Sequence, residues 1–214
     1  MNAERQRILE MVASGSITPE EAEQLLEAVR TPKQPIAKWL FQPLELLTTQ
    51  KALLVAAAAA SASVALGFFQ IRYDGALDMH VAREPVAAGQ SLIDLLLAWP
   101  FTALVFFAVA RLVGRQGRYV DFLAAVGLAR IPLVLAGLIG AATAEATLAA
   151  VEGRVSPAML VSAMLMLPLV AWTIALLVTG MRTAAGLRGG RLALASVVAI
   201  VLAETLTKLA LWGL

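Results

Sequence analysis

The sequence predicts an all-α protein, a multi-pass transmembrane bundle of five helical spans with a small N-terminal helical hairpin. Three observations predict it. Of the 214 residues, 60% are hydrophobic, where an ordinary soluble domain has about 45 to 50% apolar residues. Only 15% are charged, against about 25% in a soluble domain. The apolar residues also fall in long runs, and about 20 such residues cross roughly 30 Å of hydrocarbon as a helix whose backbone groups satisfy one another.

Residues 1–30 read as a cytoplasmic hairpin of two short helices. Ile8, Leu9, Met11 and Val12 give the first an apolar face, and Ser14-Gly15-Ser16 supplies a turn. Thr18, Pro19 and Glu21 form a Thr-Pro-x-Glu start signal in which the hydroxyl and the carboxylate can cap each other's backbone amides. Leu25, Leu26 and Val29 continue the apolar stripe, and Thr31-Pro32 ends it. Residues 31–51 are a basic juxtamembrane linker, with Lys33, Lys38 and Lys51, and with Trp39 and Phe41 suited to the headgroup layer. Pro32, Pro35 and Pro43 rule out a long helix there. Residues 1–50 hold no short apolar core before a cleavage site, so the first span itself is expected to direct insertion.

Residues 52–214 form the membrane domain, with expected spans at Ala52–Phe69, Ser91–Val113, Ile131–Ala149, Ala158–Met181 and Leu192–Trp212. The apolar stretch from Tyr119 to Ala150 would make one helix about 48 Å long, beyond the hydrocarbon thickness. A division at Ile131-Pro132 is therefore expected. It leaves an interfacial helix over residues 118–130 and puts Arg130 at headgroup depth. Small residues at Ala136, Gly140 and Ala144, and the run Ala56 to Ser63, mark close-packing faces. Pro100 and Pro168 lie inside spans, where each permits a kink.

Loop charges set the expected orientation. With the amino end inside, the cytoplasmic segments carry Lys33, Lys38, Lys51, Arg111, Arg115, Arg118, Arg182, Arg188 and Arg191, and the outer loops carry Arg72, Arg83 and Arg154. This positive-inside bias puts the amino end in the cytoplasm and, with five spans, the carboxyl end outside.

Several chemistries are excluded or disfavoured. Absence of cysteine removes disulfides, thiolate zinc sites and cysteine nucleophiles. A net charge of +2 without a basic, aromatic-interleaved patch gives no nucleic-acid surface. His80 is the only histidine and no G-x-S-x-G is present, so no enzyme activity and no cofactor is expected. Asp74, Asp78, His80 and Glu84 share one outer loop and could ligate a divalent ion, but Arg72 and Arg83 among them favour solvated charges, and no metal site is assigned. The Gly-basic-Gly loops at residues 114–118 and 186–190 are not P-loops. Arg115, Arg118, Arg182, Arg188 and Arg191 either serve there as topogenic charge in tight turns or meet anionic lipid headgroups, a contact of about 1 kcal/mol per basic residue.

Within the spans Asp94, Glu204 and Lys208 form the candidate polar cluster. Glu204 and Lys208 stand at i and i+4, within reach of each other, and Asp94 lies at similar depth as a third member. Intramembrane charges cost about 2.5 to 3.5 kcal/mol each on insertion scales, so these three should face the bundle and find partners.

The run ILEMVASGSITPEEAEQLLEAV, residues 8–29, resembles the SHOCT-like hairpins appended to bacterial envelope proteins. GRQGRYVDFLAAVGLARIP at 114–132, and LMLPLVAWTIALLVTGMRTAAGLRGGRLALASVVAIV at 165–201, resemble the Yip family of Rab-interacting membrane proteins and their bacterial relatives. The resemblance covers about residues 91–214 and implies a five-span protein with a cytoplasmic amino region. For eukaryotic relatives it implies Rab GTPases and membrane shaping between endoplasmic reticulum and Golgi. A SHOCT-like hairpin in place of their amino region points instead to a bacterial cytoplasmic membrane. Two functions follow as expectations. One is a membrane-organising or adaptor protein whose hairpin recruits a protein partner or a second copy. The other is a transporter or channel for a small solute or ion, working through the outer-half polar cluster.

Overall fold

The computed structural model describes residues 3–29 and 35–212. Lys33, Thr31 and Pro32 of the expected linker lie outside these. The chain divides into two compact units, Met1–Ile36 and Ala37–Leu214.

In the first unit α1 (Ala3–Ala13) and α2 (Pro19–Val29) are joined by a turn in which Gly15 takes a left-handed φ of +70°. The capping box forms as the sequence predicts. The Thr18 amide donates to Glu21 Oε2 at 2.9 Å, and the Glu21 amide donates to Thr18 Oγ1 at 3.2 Å. Ile8 and Ala22 are buried, whereas Leu9 and Leu25 stay exposed. The expected apolar faces are thus only partly covered.

The second unit begins one residue into a short helix, α3 (Ile36–Phe41), followed by a second short helix, α4 (Pro43–Leu46), as the prolines require. Five helical spans follow among the described residues. They are α5 (Thr49–Gly67), the joined α6 (Ala88–Leu96) and α7 (Thr102–Leu112), α8 (Tyr119–Ala142), α10 (Pro157–Ala185) and α11 (Gly189–Trp212). A short helix α9 (Ala144–Val151) stands between α8 and α10.

The middle span organises the rest. α8 packs on α5, α7 and α10, while α11 packs chiefly on α7. Of the most apolar stretch of α8, 67% is buried, against 22 to 39% in the other spans. Small residues make this possible. A side chain at Gly127 would strike Ala56 and Trp99, and one at Gly180 would meet Ala125 Cβ at 2.7 Å, so backbones lie as close as small-residue packing allows. On α5, Ala52, Ala56, Ala60 and Ser63 are buried every third or fourth residue, leaving Leu54 and Val55 exposed on the other side.

Two expectations are corrected. α8 runs unbroken through Pro132, so residues 118–130 are not a separate interfacial helix but the first half of the third span. Its 24 residues measure about 36 Å, a length that small tilt accommodates. The overlong apolar run is divided at Thr143 instead, whose φ of −120° ends α8 and starts α9. Thr143 Oγ1 donates to the Ile139 carbonyl at 2.8 Å and lies 3.0 Å from Ser162 Oγ on α10. Arg130 accordingly is not at headgroup depth but buried, at 2% exposure, among the helices.

The second correction concerns the connection between α5 and α6, read from sequence as a solvated loop. It folds into the end of the bundle. After Gln70, with φ +65°, β1 (Ile71–Arg72) pairs antiparallel with β2 (His80–Val81), Ile71 opposite Val81. Ile71, Tyr73, Asp74, Ala76 and Val86 are all buried. The segment is a plug.

Candidate functional site

The plug carries charge into a low-dielectric interior, and each charge there needs a partner. Asp94, on α6, is 1% exposed. Its carboxylate accepts two bonds from Arg72, from Nε at 2.8 Å and Nη2 at 3.1 Å, and one from Gln90 Nε2 at 2.8 Å. The bidentate pair raises the pKa of Arg72, and burial opposes that rise.

Lys208 reaches from α11 to the plug. Its Nζ donates to Asp74 Oδ1 at 2.9 Å and to Asp78 Oδ2 in a short contact. His80 Nδ1 lies 3.5 Å from the same Asp74 oxygen. Burial works against the Asp74 carboxylate, yet His80 and Lys208 outweigh it and hold its pKa well below the usual carboxylate range. Contact with Asp74 in turn raises the His80 pKa above its ordinary 6.5, against the opposing pull of burial.

Glu204 does not pair with Lys208. Its Oε2 accepts the Leu77 amide at 3.0 Å, and its carboxylate fills the space beside Gly75 where a side chain would otherwise stand. The structure therefore distributes Asp94, Glu204 and Lys208 over three contacts with the plug and does not gather them into one cluster. The i, i+4 spacing permitted a pair, but two loop carboxylates and a backbone amide compete better for the two side chains. Of the four possible metal ligands, Asp74, Asp78 and His80 bring ligand atoms within 4.8 Å of one another, and Glu84 is exposed. The Lys208 ammonium already supplies positive charge to both carboxylates.

Sequence reasoning missed Arg130 as an interior residue. Its Nη1 donates to the Ala98 carbonyl at 3.2 Å, and its guanidinium lies 5.5 Å from the centre of the Tyr73 ring. That carbonyl is accessible because Leu97–Phe101 is a π-helical turn containing Pro100. There the Thr102 amide reaches back to Leu97, five residues away, and not to Ala98. The same turn is tied to α8 twice more. Trp99 Nε1 donates to the Leu123 carbonyl at 2.8 Å, and Tyr119 Oη donates to the Pro100 carbonyl at 2.9 Å. Pro100 was the signal available in the sequence; its partner was not.

At the opposite end the linker lies along α10. Trp172 Nε1 donates to the Leu40 carbonyl at 2.8 Å and Thr179 Oγ1 to the Phe41 carbonyl at 2.7 Å. Glu45 takes Arg182 at 2.7 Å and Lys38 at 3.7 Å. Arg118 pairs with Asp121 at 2.9 Å. Arg115, Arg188 and Arg191 are exposed.

The sequence pattern of the Yip1 domain matches residues 33–210, so the match takes in the linker and the first span as well as the later spans whose motifs carry the resemblance. The chain belongs to the Yip1 family. A SHOCT-like domain matches residues 3–34. No curated protein and no solved structure matches the chain significantly. The plug, the π-helical turn and the docked linker are thus features of a Yip1 domain carried by a SHOCT-like hairpin.

Two outcomes follow for detergent-purified protein. Lys208→Met strands the Asp74 and Asp78 carboxylates, so its loss of stability and that of Asp74→Asn should couple by about 0.5 to 3 kcal/mol in a double-mutant cycle. Glu204→Gln and Lys208→Met, one turn apart but on different partners, should couple less strongly than that pair; coupling between them stronger than between Lys208→Met and Asp74→Asn would contradict the partners described. The second outcome concerns pH. Because the folded-state pKa of His80 is raised, its contribution is complete below about 6.5 and is lost as pH climbs through the folded value. Raising the pH from about 6 to about 8.5 should therefore lower the thermal stability, and His80→Gln should flatten that part of the profile.

Proposed function

We propose that this Yip1-family membrane protein is a non-enzymatic membrane-organising or adaptor protein of a bacterial cytoplasmic membrane. Its hairpin recruits a protein partner or a second copy at the cytoplasmic face. The observation that carries the reading is the hairpin itself. It is a compact unit of its own that keeps Leu9 and Leu25 exposed, and its two short helices offer far fewer apolar side chains than an independent core needs. A second contact completes such a unit.

The bundle supports the same reading. Between α7, α8, α10 and α11 the buried side chains are mostly apolar from Phe122, Met181 and Leu187 at the linker end to Ala203 at the plug, with only the hydroxyls of Thr102, Ser162, Thr173, Ser196 and Thr207 and no charged group among the buried residues described on α7, α10 and α11. A transport path would need polar groups through that half as well. Orientation rests on the basic residues at the linker end, Lys38, Lys51, Arg111, Arg115, Arg118, Arg182, Arg188 and Arg191. At the plug end Arg72 is neutralised by Asp94. The linker end therefore faces the cytoplasm, where exposed Arg115, Arg188 and Arg191 meet anionic headgroups.

Orientation is tested with single cysteines at exposed positions of a cysteine-free chain. In intact cells an impermeant thiol reagent should label Glu84→Cys and Glu152→Cys and spare Gln116→Cys and Arg188→Cys; the reverse pattern inverts the protein. Recruitment is tested by quantitative co-purification from solubilised membranes. The same partner should be enriched with the intact protein and lost both on deletion of residues 1–30 and in Leu9→Glu/Leu25→Glu, with insertion unchanged. Equal recovery from all three excludes the hairpin as recruiter.

A further inference from the structure

Arg130 has more charge than its surroundings answer. The side chain is 2% exposed, and although Nη1 reaches the Ala98 carbonyl, Nε and Nη2 meet no acceptor. No carboxylate lies within 4 Å of the guanidinium among the described residues. A guanidinium does not lose its proton in proteins, so the charge persists, and a buried charge without compensation is costly. The contact with the Tyr73 ring face offsets only a small part.

The side chain lines a small cavity together with Ser63, Arg72, Tyr73, Ser91 and Asp94. Two guanidinium groups and one carboxylate face this space. Arg72 engages both oxygens of Asp94, so the single negative charge is already used. Burial raises the Tyr73 pKa, so its phenol is neutral and supplies no second one. The wall is one negative charge short.

We propose that this cavity binds one monoatomic anion, a halide, with Arg130 as its principal donor and the Ser91 hydroxyl as a second. Size selects the class. The cavity leaves about 10 Å³ for the centre of a water-sized body, the room of a single small occupant. Carboxylates, phosphates and lipid headgroups do not fit. Water would fill the space and satisfy N–H groups but leave the charge unmet, so charge decides between the two small occupants. The inference is independent of the adaptor reading, since nothing in it involves the hairpin.

The test uses the full-length protein in detergent at constant ionic strength, with chloride replacing gluconate stepwise. Thermal stability should rise saturably by roughly 2 to 4 °C, the size expected for a weak ligand on a chain of this length. Arg130→Met should abolish the dependence and Ser91→Ala weaken it. If Arg130→Met does not fold, bromide-soaked crystals of the unaltered protein decide, with an anomalous peak beside the Arg130 guanidinium expected. A flat chloride response with no bromide peak means a water only and overturns the proposal, as does a chloride dependence that persists in Arg130→Met.

Discussion

Hydrocarbon gives a buried charge no solvent, and the architecture at one end of this bundle follows from that constraint. Asp94 on α6 is fully buried, and Arg72 answers it from the plug with a bidentate contact. Lys208 on α11 is answered from the same segment by Asp74 and Asp78. A connection of about twenty residues with two-residue strands has little hydrogen-bonded structure of its own. It is held in place because helices on two sides of the bundle present charges that only it can neutralise. Breaking the Arg72–Asp94 contact leaves an unpaired carboxylate in a poor solvent, which is worse than never having had the pair, whereas the Lys208 ammonium, about a third exposed, is the less costly of the two to strand. Ile71 and Tyr73 then pack against Leu66 and Leu133 and close the end of the α5–α8 interface.

The spans were legible in the sequence because insertion depends on length and composition, both local quantities. The helices begin and end within four residues of the expected limits, apart from the third span. The capping box of Thr18 and Glu21 was legible for the same reason, since its partners are three residues apart. What escaped was long-range. Asp94 and Lys208 were recognised as needing partners, but their partners sit 22 residues and 130 to 134 residues away in the chain, in a segment whose mixed charges looked like solvated loop. Local spacing suggested Glu204 for Lys208, and a backbone amide at Leu77 took that carboxylate instead.

Arg130 shows the same limit in sharper form. Beside Pro132, in an apolar run too long for one span, a charge looks like a boundary marker, and the expected break was placed there. Two features elsewhere make it an interior residue. The π-helical turn around Pro100 presents the Ala98 carbonyl to it, and the plug brings the Tyr73 ring under it. With those contacts α8 can continue, and the chain breaks at Thr143, where a hydroxyl can satisfy the last turn. The proline that the sequence marked as a kink on one helix thus accounts for an unbroken helix next to it.

Polarity is distributed unevenly along the bundle, and this bears on what the domain can do. Charged and hydrogen-bonding side chains converge at the plug end, where geometry locks them to one another. The half nearer the linker is filled by Phe106, Val109, Phe122, Leu176 and Met181, with small residues bringing the backbones close. A carrier must expose one site alternately to both sides, so both halves need groups that solvate its cargo. The buried charged groups of this bundle gather toward the plug end, and most of them are already committed to holding the plug, while the buried polar side chains nearer the linker are hydroxyls such as Ser196. The linker end is arranged differently. Its contacts to α10 run through side chains reaching backbone carbonyls, Trp172 to Leu40 and Thr179 to Phe41, together with the Glu45–Arg182 pair. Backbone carbonyls are specified by fold and not by residue type, so this docking fixes where the chain leaves the bundle toward the hairpin with little demand on the linker's own sequence. A membrane domain whose polar contacts serve to close one end and to hold its own linker at the other uses its side chains to fix the fold, and this is the chemistry that the anchoring role proposed above would use.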